Sequence, residues 1–186
     1  MKKIAVLLVL VIAVAGCKRD EKKTHADDDG KRGAAAGTPA QTATGIEPGL
    51  IMPAYEAVNL DGSKFDLASR RKNVVLLNLW ATWCGPCRYE IPELQRIHDT
   101  YAKRGFEVVG VSVDEGAAEL IQQFAAENKM TYPLVHDPDG KIANILEASV
   151  LPTSIMIDRD GRIIWKKVGA ILENDEELKT AIEKAL

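Results

Sequence analysis

The chain has 186 residues, 46% of them hydrophobic, and 24 Lys and Arg against 27 Asp and Glu give a net charge of −3. That length holds one ordinary domain with extensions rather than two large ones, and the composition is that of a globular protein. A slightly acidic balance, with no basic stripe, no interleaved aromatics and no glycine-rich phosphate loop, argues against nucleic acid as a partner.

Met1-Lys2-Lys3 opens the chain with positive charge, and Ile4 to Ala15 follows as an unbroken apolar run. At about a dozen residues the run is short of the ~20 that a membrane-spanning helix needs. It ends in Val14-Ala15-Gly16-Cys17. This arrangement resembles the lipobox of bacterial lipoproteins, in which the chain is cleaved before the cysteine and the cysteine carries the lipid. The resemblance implies a signal peptide over 1–16, lipidation at Cys17 and attachment to a membrane outside the cytoplasm, where more than one acyl chain anchors stably. A plain secretory signal or a weak membrane helix is the alternative. Position 18 is Lys, not the Asp that retains lipoproteins at an inner membrane, so the outer membrane is favoured where both exist. Residues 17–48 then read as the lipidated cysteine and a tether. Lys18 to Arg32 is mostly charged, and Gly33 to Gly49 is mostly Ala, Gly, Thr and Pro, with nothing periodic to bury. Its reach as a flexible chain is roughly 30 Å. His25 beside Asp27, Asp28 and Asp29 is read as part of the solvated charge run rather than as a metal site.

A domain is expected over 49–186. Ala54 to Leu60 alternates, Asp61-Gly62 signals a hairpin turn, and Lys64 to Leu67 returns. Asn73 to Trp80 is an apolar run suited to a strand covered on both faces. Cys84 to Lys103 reads as a helix with Ile91, Leu94, Ile97 and Tyr101 on its inner side and a kink at Pro92. Phe106 to Val113 is a second buried strand; Asp114 is the expected cap of a helix running to Asn128. Tyr132 to Val135 is strand-like, Asp139 to Ala148 a short helix, Ser154 to Val168 a hairpin turning at Arg159-Asp160-Gly161, and Glu173 to Leu186 a closing helix. The alternation predicts an α/β sandwich, a central mixed sheet flanked by helices.

Three cysteines are present, and with Cys17 assigned to lipid one pair remains, Cys84 and Cys87. A cysteine at a helix N-terminus has its thiolate favoured by unpaired N–H groups and the helix dipole, and thiolate is the species that attacks disulfides. A second cysteine three residues on lies about one turn later on the same side and can resolve the mixed disulfide. Pro86 fits the first turn, where its missing N–H costs nothing. A structural disulfide over so short a loop removes little chain entropy, and a structural zinc site needs about four ligands. No metal and no cofactor are expected.

Trp80-Ala81-Thr82-Trp83-Cys84-Gly85-Pro86-Cys87 resembles the thioredoxin active-site segment, and roughly 50–186 resembles the TlpA/ResA group of membrane-tethered thioredoxin-like proteins. Glu90-Ile91-Pro92 after the second cysteine, the strand Phe106 to Asp114, and Leu151-Pro152-Thr153 match that group in the right order. The resemblance implies a thioredoxin-like fold, Cys84 as nucleophile and Cys87 as resolving thiol. It implies a cis-proline at Pro152, with Trp83, Gly85, Pro86 and Leu151 beside an incoming extended substrate. An ordinary trans turn is the alternative at Pro152. Where thioredoxin has a buried Asp six residues before its first cysteine, this chain has Asn78, which is no proton acceptor. Glu90 is then the candidate acid/base, the alternative being a surface charge on the helix.

The implied partners are protein disulfides or dithiols, apocytochrome c among them, and a membrane protein that supplies electrons. The Gly-Pro dipeptide matches thioredoxin, whose potential is about −270 mV, so reduction is the expected direction. Two alternatives stand beside a reductase. A peroxiredoxin-type peroxidase would place Thr or Ser at position 81 and Pro at 77, where this chain has Ala81 and Leu77. A Sco-like copper-binding protein would use the two thiolates with a histidine, for which His136 is the candidate.

Overall fold

The computed structural model describes residues 43–186. The expected signal peptide over 1–16, the lipidation at Cys17 and most of the tether lie outside the described residues. Seven strands form a single sheet in the order β2-β1-β5-β4-β3-β6-β7. They are β1 (Glu56–Asn59), β2 (Lys64–Asp66), β3 (Val74–Trp80), β4 (Phe106–Ser112), β5 (Leu134–His136), β6 (Thr153–Ile157) and β7 (Ile163–Val168). β3, β4 and β5 are parallel, and the two margins are antiparallel. The fold is the expected α/β thioredoxin-like sandwich with a mixed sheet.

Every residue of β3 and β4 is buried. Such strands carry apolar side chains on both faces because helices or loops cover both. On one face Val74, Leu76, Val108 and Met156 meet Leu94 of α1 (Gly85–Tyr101), Ile121 of α2 (Ala118–Glu127) and Leu178 and Ile182 of α4 (Glu176–Ala185). On the other face Val75, Leu77, Val109 and Ile155 meet Ile142 of α3 (Lys141–Ile145) together with Met52, Tyr55 and Phe65. By the same alternation Asn78 and Ser154 point into the α1 face, which places two polar side chains in an otherwise apolar layer.

The helices lie where their sequence signals place them, with α2, α3 and α4 starting later than expected. Cys84 caps α1, Pro86 sits in its first turn, and Ile91, Leu94, Ile97 and Tyr101 face inward as their spacing predicts. Pro92 lies inside the helix without ending it; α1 runs on to Tyr101, and a 3-10 turn (Ala102–Arg104) follows and ends at Gly105, whose φ of 83° suits glycine. α2 begins at Ala118, not next to Asp114, and has no side-chain cap; Asp114 is engaged elsewhere. The stretch 43–48, assigned by composition to the tether, is laid against the domain. Ile51 N–H donates to Ala43 O (3.0 Å), Gly49 N–H donates to Ile163 O (2.8 Å), and Lys166 pairs with Glu47 (3.0 Å). Backbone bonds of this kind leave no trace in composition, and Ile46 is the only large apolar side chain there.

Candidate active site

The site grows from the end of β3. Val113 N–H donates to Trp80 O (3.0 Å), and Cys84 N–H donates to Ala81 O (3.1 Å), closing the turn that delivers Cys84 to the head of α1. Cys84 and Cys87 are joined in a disulfide, with Cα atoms 5.3 Å apart. Cys87 N–H donates to Cys84 Sγ (3.2 Å), the bond that steadies a thiolate on Cys84 once the pair is reduced. Cys84 keeps 5% exposure and Cys87 none, so Cys84 is the more accessible sulfur of the pair. Around it Gly85 and Pro86 are exposed, and Trp83 (70%) and Tyr89 (84%) stand out into solvent. Trp80 is core: it is buried and packs on Phe124 with centroids 5.5 Å apart.

The Leu151–Pro152 peptide is cis. β6 starts at Thr153, paired with Leu79, so Pro152 lies at the end of the sheet where β3 hands over to the Cys84 turn. Gly169 N–H donates to Pro152 O (2.8 Å), which brings the β7–α4 connection to the same place.

Glu90 is no surface charge: its exposure is 1%. Asn78 Nδ2 donates to its Oε1 (2.7 Å), and Ile171 N–H donates to its Oε2 (2.7 Å). Asn78 Nδ2 also donates to Ser154 Oγ (2.9 Å). Burial pushes the Glu90 carboxyl up to about 7, against the pull of those two donors and of the Lys167 charge. Gly110, the β4 partner of Asn78, keeps this layer tight; a methyl there would lie 2.8 Å from Leu134 Cδ2 and 3.1 Å from Trp80 Nε1.

A second buried carboxylate lies on the other side of the turn. Asp114 accepts from Thr82 N–H (3.0 Å), Thr82 Oγ1 (2.7 Å) and Ser112 Oγ (2.6 Å). It ties the residue two places before Cys84 to the end of β4. Sequence reasoning missed this role, along with those of Ser154 and Ile171. Asp114 had one available signal, its place just past the carboxyl end of a parallel strand, where sites of open α/β sheets gather. His136 Nε2 lies 3.0 Å from the Asp114 carbonyl. Among the described residues no three His, Cys, Asp or Glu side chains are grouped to hold a metal, so His136 does not join the cysteine pair. Ala81 and Leu77 are fully buried core residues.

A cysteine pair heading a helix, after a buried strand and beside a cis-proline turn, is the site of a thioredoxin-fold thiol–disulfide oxidoreductase. The model of the AhpC/TSA family matches residues 48–166. The chain is 30% identical over 139 residues to a thiol-disulfide oxidoreductase ResA of Bacillus cereus, covering 75% of this chain and 79% of that protein. It is 31% identical over 140 residues to the ResA of Geobacillus thermodenitrificans, with the same coverage of 75% and 79%. Among solved structures, a DsbF homologue from Corynebacterium diphtheriae superposes with a TM-score of 0.65 at 29% identity, covering 80% of this chain and 96% of that one. A secreted thiol-disulfide isomerase from Corynebacterium glutamicum gives 0.65 at 29%, covering 72% and 84%. The chain belongs to the AhpC/TSA family and, within it, to the ResA-like thiol–disulfide oxidoreductases.

Proposed function

We propose that the protein reduces disulfides of other proteins outside the cytoplasm, cycling Cys84 and Cys87 between dithiol and disulfide. The Cys84 thiolate attacks a client disulfide, forms a mixed disulfide and releases one client thiolate. Cys87 then gives its proton to Glu90 and attacks Cys84 Sγ. The Cys84–Cys87 disulfide forms, the second client thiolate leaves and takes up a proton, and two electrons have passed to the client. A membrane protein of the electron-donor class restores the dithiol. Trp83, Gly85, Pro86, Leu151 and Pro152 receive the client as an extended segment.

The observation that carries this reading is the Cys84–Cys87 disulfide at the head of α1, with Cys84 the more exposed sulfur and the buried Glu90 carboxyl one turn beyond Cys87; burial pushes that carboxyl up to about 7, where a group can both take and return a proton near neutral pH. Lipid on Cys17 holds the domain at the membrane surface, the outer membrane where there are two; the lipobox-like run and Lys18 support it. Apocytochrome c is one client class that the family resemblance supplies. Cys87→Ser tests the cycle. It leaves clients trapped on Cys84 as mixed disulfides, identified by mass spectrometry, while the wild type reduces insulin with dithiothreitol as donor. No trapped client together with an inactive wild type overturns the reading.

A further inference from the structure

The two partners of Glu90 are chemically unequal. Ile171 offers a backbone N–H, which can only donate. Asn78 offers an amide, which donates through Nδ2 and accepts through Oδ1, and behind it the Ser154 hydroxyl also does both. All three side chains are closed off from solvent, at 1%, 1% and 0% exposure for Asn78, Glu90 and Ser154. A proton arriving on Oε2 would face a fixed donor. A proton arriving on Oε1 faces a group that can turn round.

We propose that Asn78 and Ser154 are positioning residues forming a polarity-reversible relay that places the Glu90 proton on Oε1. This rests on the role of Glu90 just given. The structure shows Asn78 Nδ2 donating to Oε1 and to Ser154 Oγ, the arrangement that suits an ionised Glu90. When Glu90 takes the Cys87 proton, the amide turns over; Oδ1 then accepts from Glu90 Oε1–H, and the Ser154 hydroxyl rotates to donate. Oε2 accepts from Ile171 N–H throughout, so the β7–α4 connection stays fixed while the proton comes and goes. Both states of Glu90 keep two partners, and burying a polar group is tolerable only when it is bonded. A fixed acid at position 78 would serve the protonated state and repel the ionised one.

The other titratable groups around Glu90 do not supply this. Cys87 precedes it on α1. The Tyr132 hydroxyl, on the chain leading into β5, is buried without a partner among the described residues and is itself pushed up by burial and by Glu90. Lys167 on β7 is engaged with Asp175 ahead of α4.

The test uses the full-length protein in its dithiol form, followed by NMR through the Glu90 carboxyl titration. Nuclear Overhauser contacts from Asn78 Hδ2 to Glu90 Hγ are expected above the inflection and lost below it. Contacts that persist on both sides overturn the proposal. Asn78→Leu, which can neither donate nor accept, is expected to raise the inflection by about 1–2 pH units in both the carboxyl titration and the rate of mixed-disulfide resolution. An unmoved inflection in a folded Asn78→Leu also overturns it. If Asn78→Leu does not fold, the wild-type contacts decide alone. Failure of the underlying reading looks different: Glu90→Gln would resolve mixed disulfides with the wild-type rate and pH profile.

Discussion

Two buried carboxylates flank the cysteine pair, and their surroundings separate two uses of the same chemical group. Asp114 accepts from three donors on Thr82 and Ser112, two of which are the N–H and hydroxyl of one residue. Its oxygens are directed at holding a turn in place. Glu90 has one donor on each oxygen, and one of those donors is an amide, a group that can also accept. Lone-pair capacity remains, so Glu90 can take a proton. The three donors on Asp114 fit a structural role, and the two on Glu90 fit the proton-carrying role proposed for it.

The sharpest break of this comparison is Glu90→Gln. General acid–base groups contribute roughly 10²–10⁴ in rate. Resolution of a Cys84 mixed disulfide at neutral pH is expected to slow by about 10² or more and to lose its inflection near 7, as read by stopped-flow release of client thiol. Asp114→Ala is expected to leave that inflection in place. Glu90→Gln also tests stability in the disulfide form. A carboxyl whose folded pKa stands above its unfolded one binds its proton more tightly in the fold. The fold is therefore favoured below the ordinary 4.5 and loses that advantage as pH rises through about 7. The loss amounts to about 3 kcal/mol between these limits. Denaturant titrations at low and high pH are expected to show it in the wild type and not in Glu90→Gln.

Asp114→Ala breaks the other side. It leaves Thr82 N–H and two hydroxyls without their acceptor, which costs about 1–3 kcal/mol and lowers Tm by about 4–10 °C. Calorimetry is expected to show that drop, the signature of a lost clamp.

The cysteine pair, the strands β3 and β4 and the inner face of α1 were all legible because each has a local signal: a spacing, an unbroken apolar run, a three-and-four period. Pro152 was legible only through resemblance to a family, since a cis bond leaves no mark on composition. Asp114 was misassigned, and the hydrogen-bonding role of Asn78 went unread, for the same reason. The groups that hold them include residues 12, 76 and 32 positions away along the chain, brought together by sheet pairing and by the packing of α1 on the sheet. Asn78 was read as a missing acid, when its amide is what holds the acid supplied from α1. Asp114 was read as a cap because Asp before a helical pattern usually is one. The Thr82 N–H and hydroxyl made the stronger claim on it.

The smallest expected effect concerns the charge behind Glu90. Lys167 pulls the Glu90 carboxyl down, more weakly than either hydrogen bond, and is itself engaged with Asp175, which caps α4 by accepting from Leu178 N–H. Lys167→Met removes that pull, so the inflection in mixed-disulfide resolution is expected to rise by a few tenths of a pH unit, with the rate above it unchanged. Lys167→Arg keeps the charge and is expected to leave the inflection where it was. Asp175→Asn keeps the cap, because Asn also accepts at that position, and frees Lys167 from its counter-charge. It is expected to move the inflection slightly downward. Opposite shifts from Lys167→Met and Asp175→Asn would identify a through-space charge on Glu90. Equal shifts in one direction would mean instead that the β7–α4 connection had moved, carrying the Ile171 N–H with it.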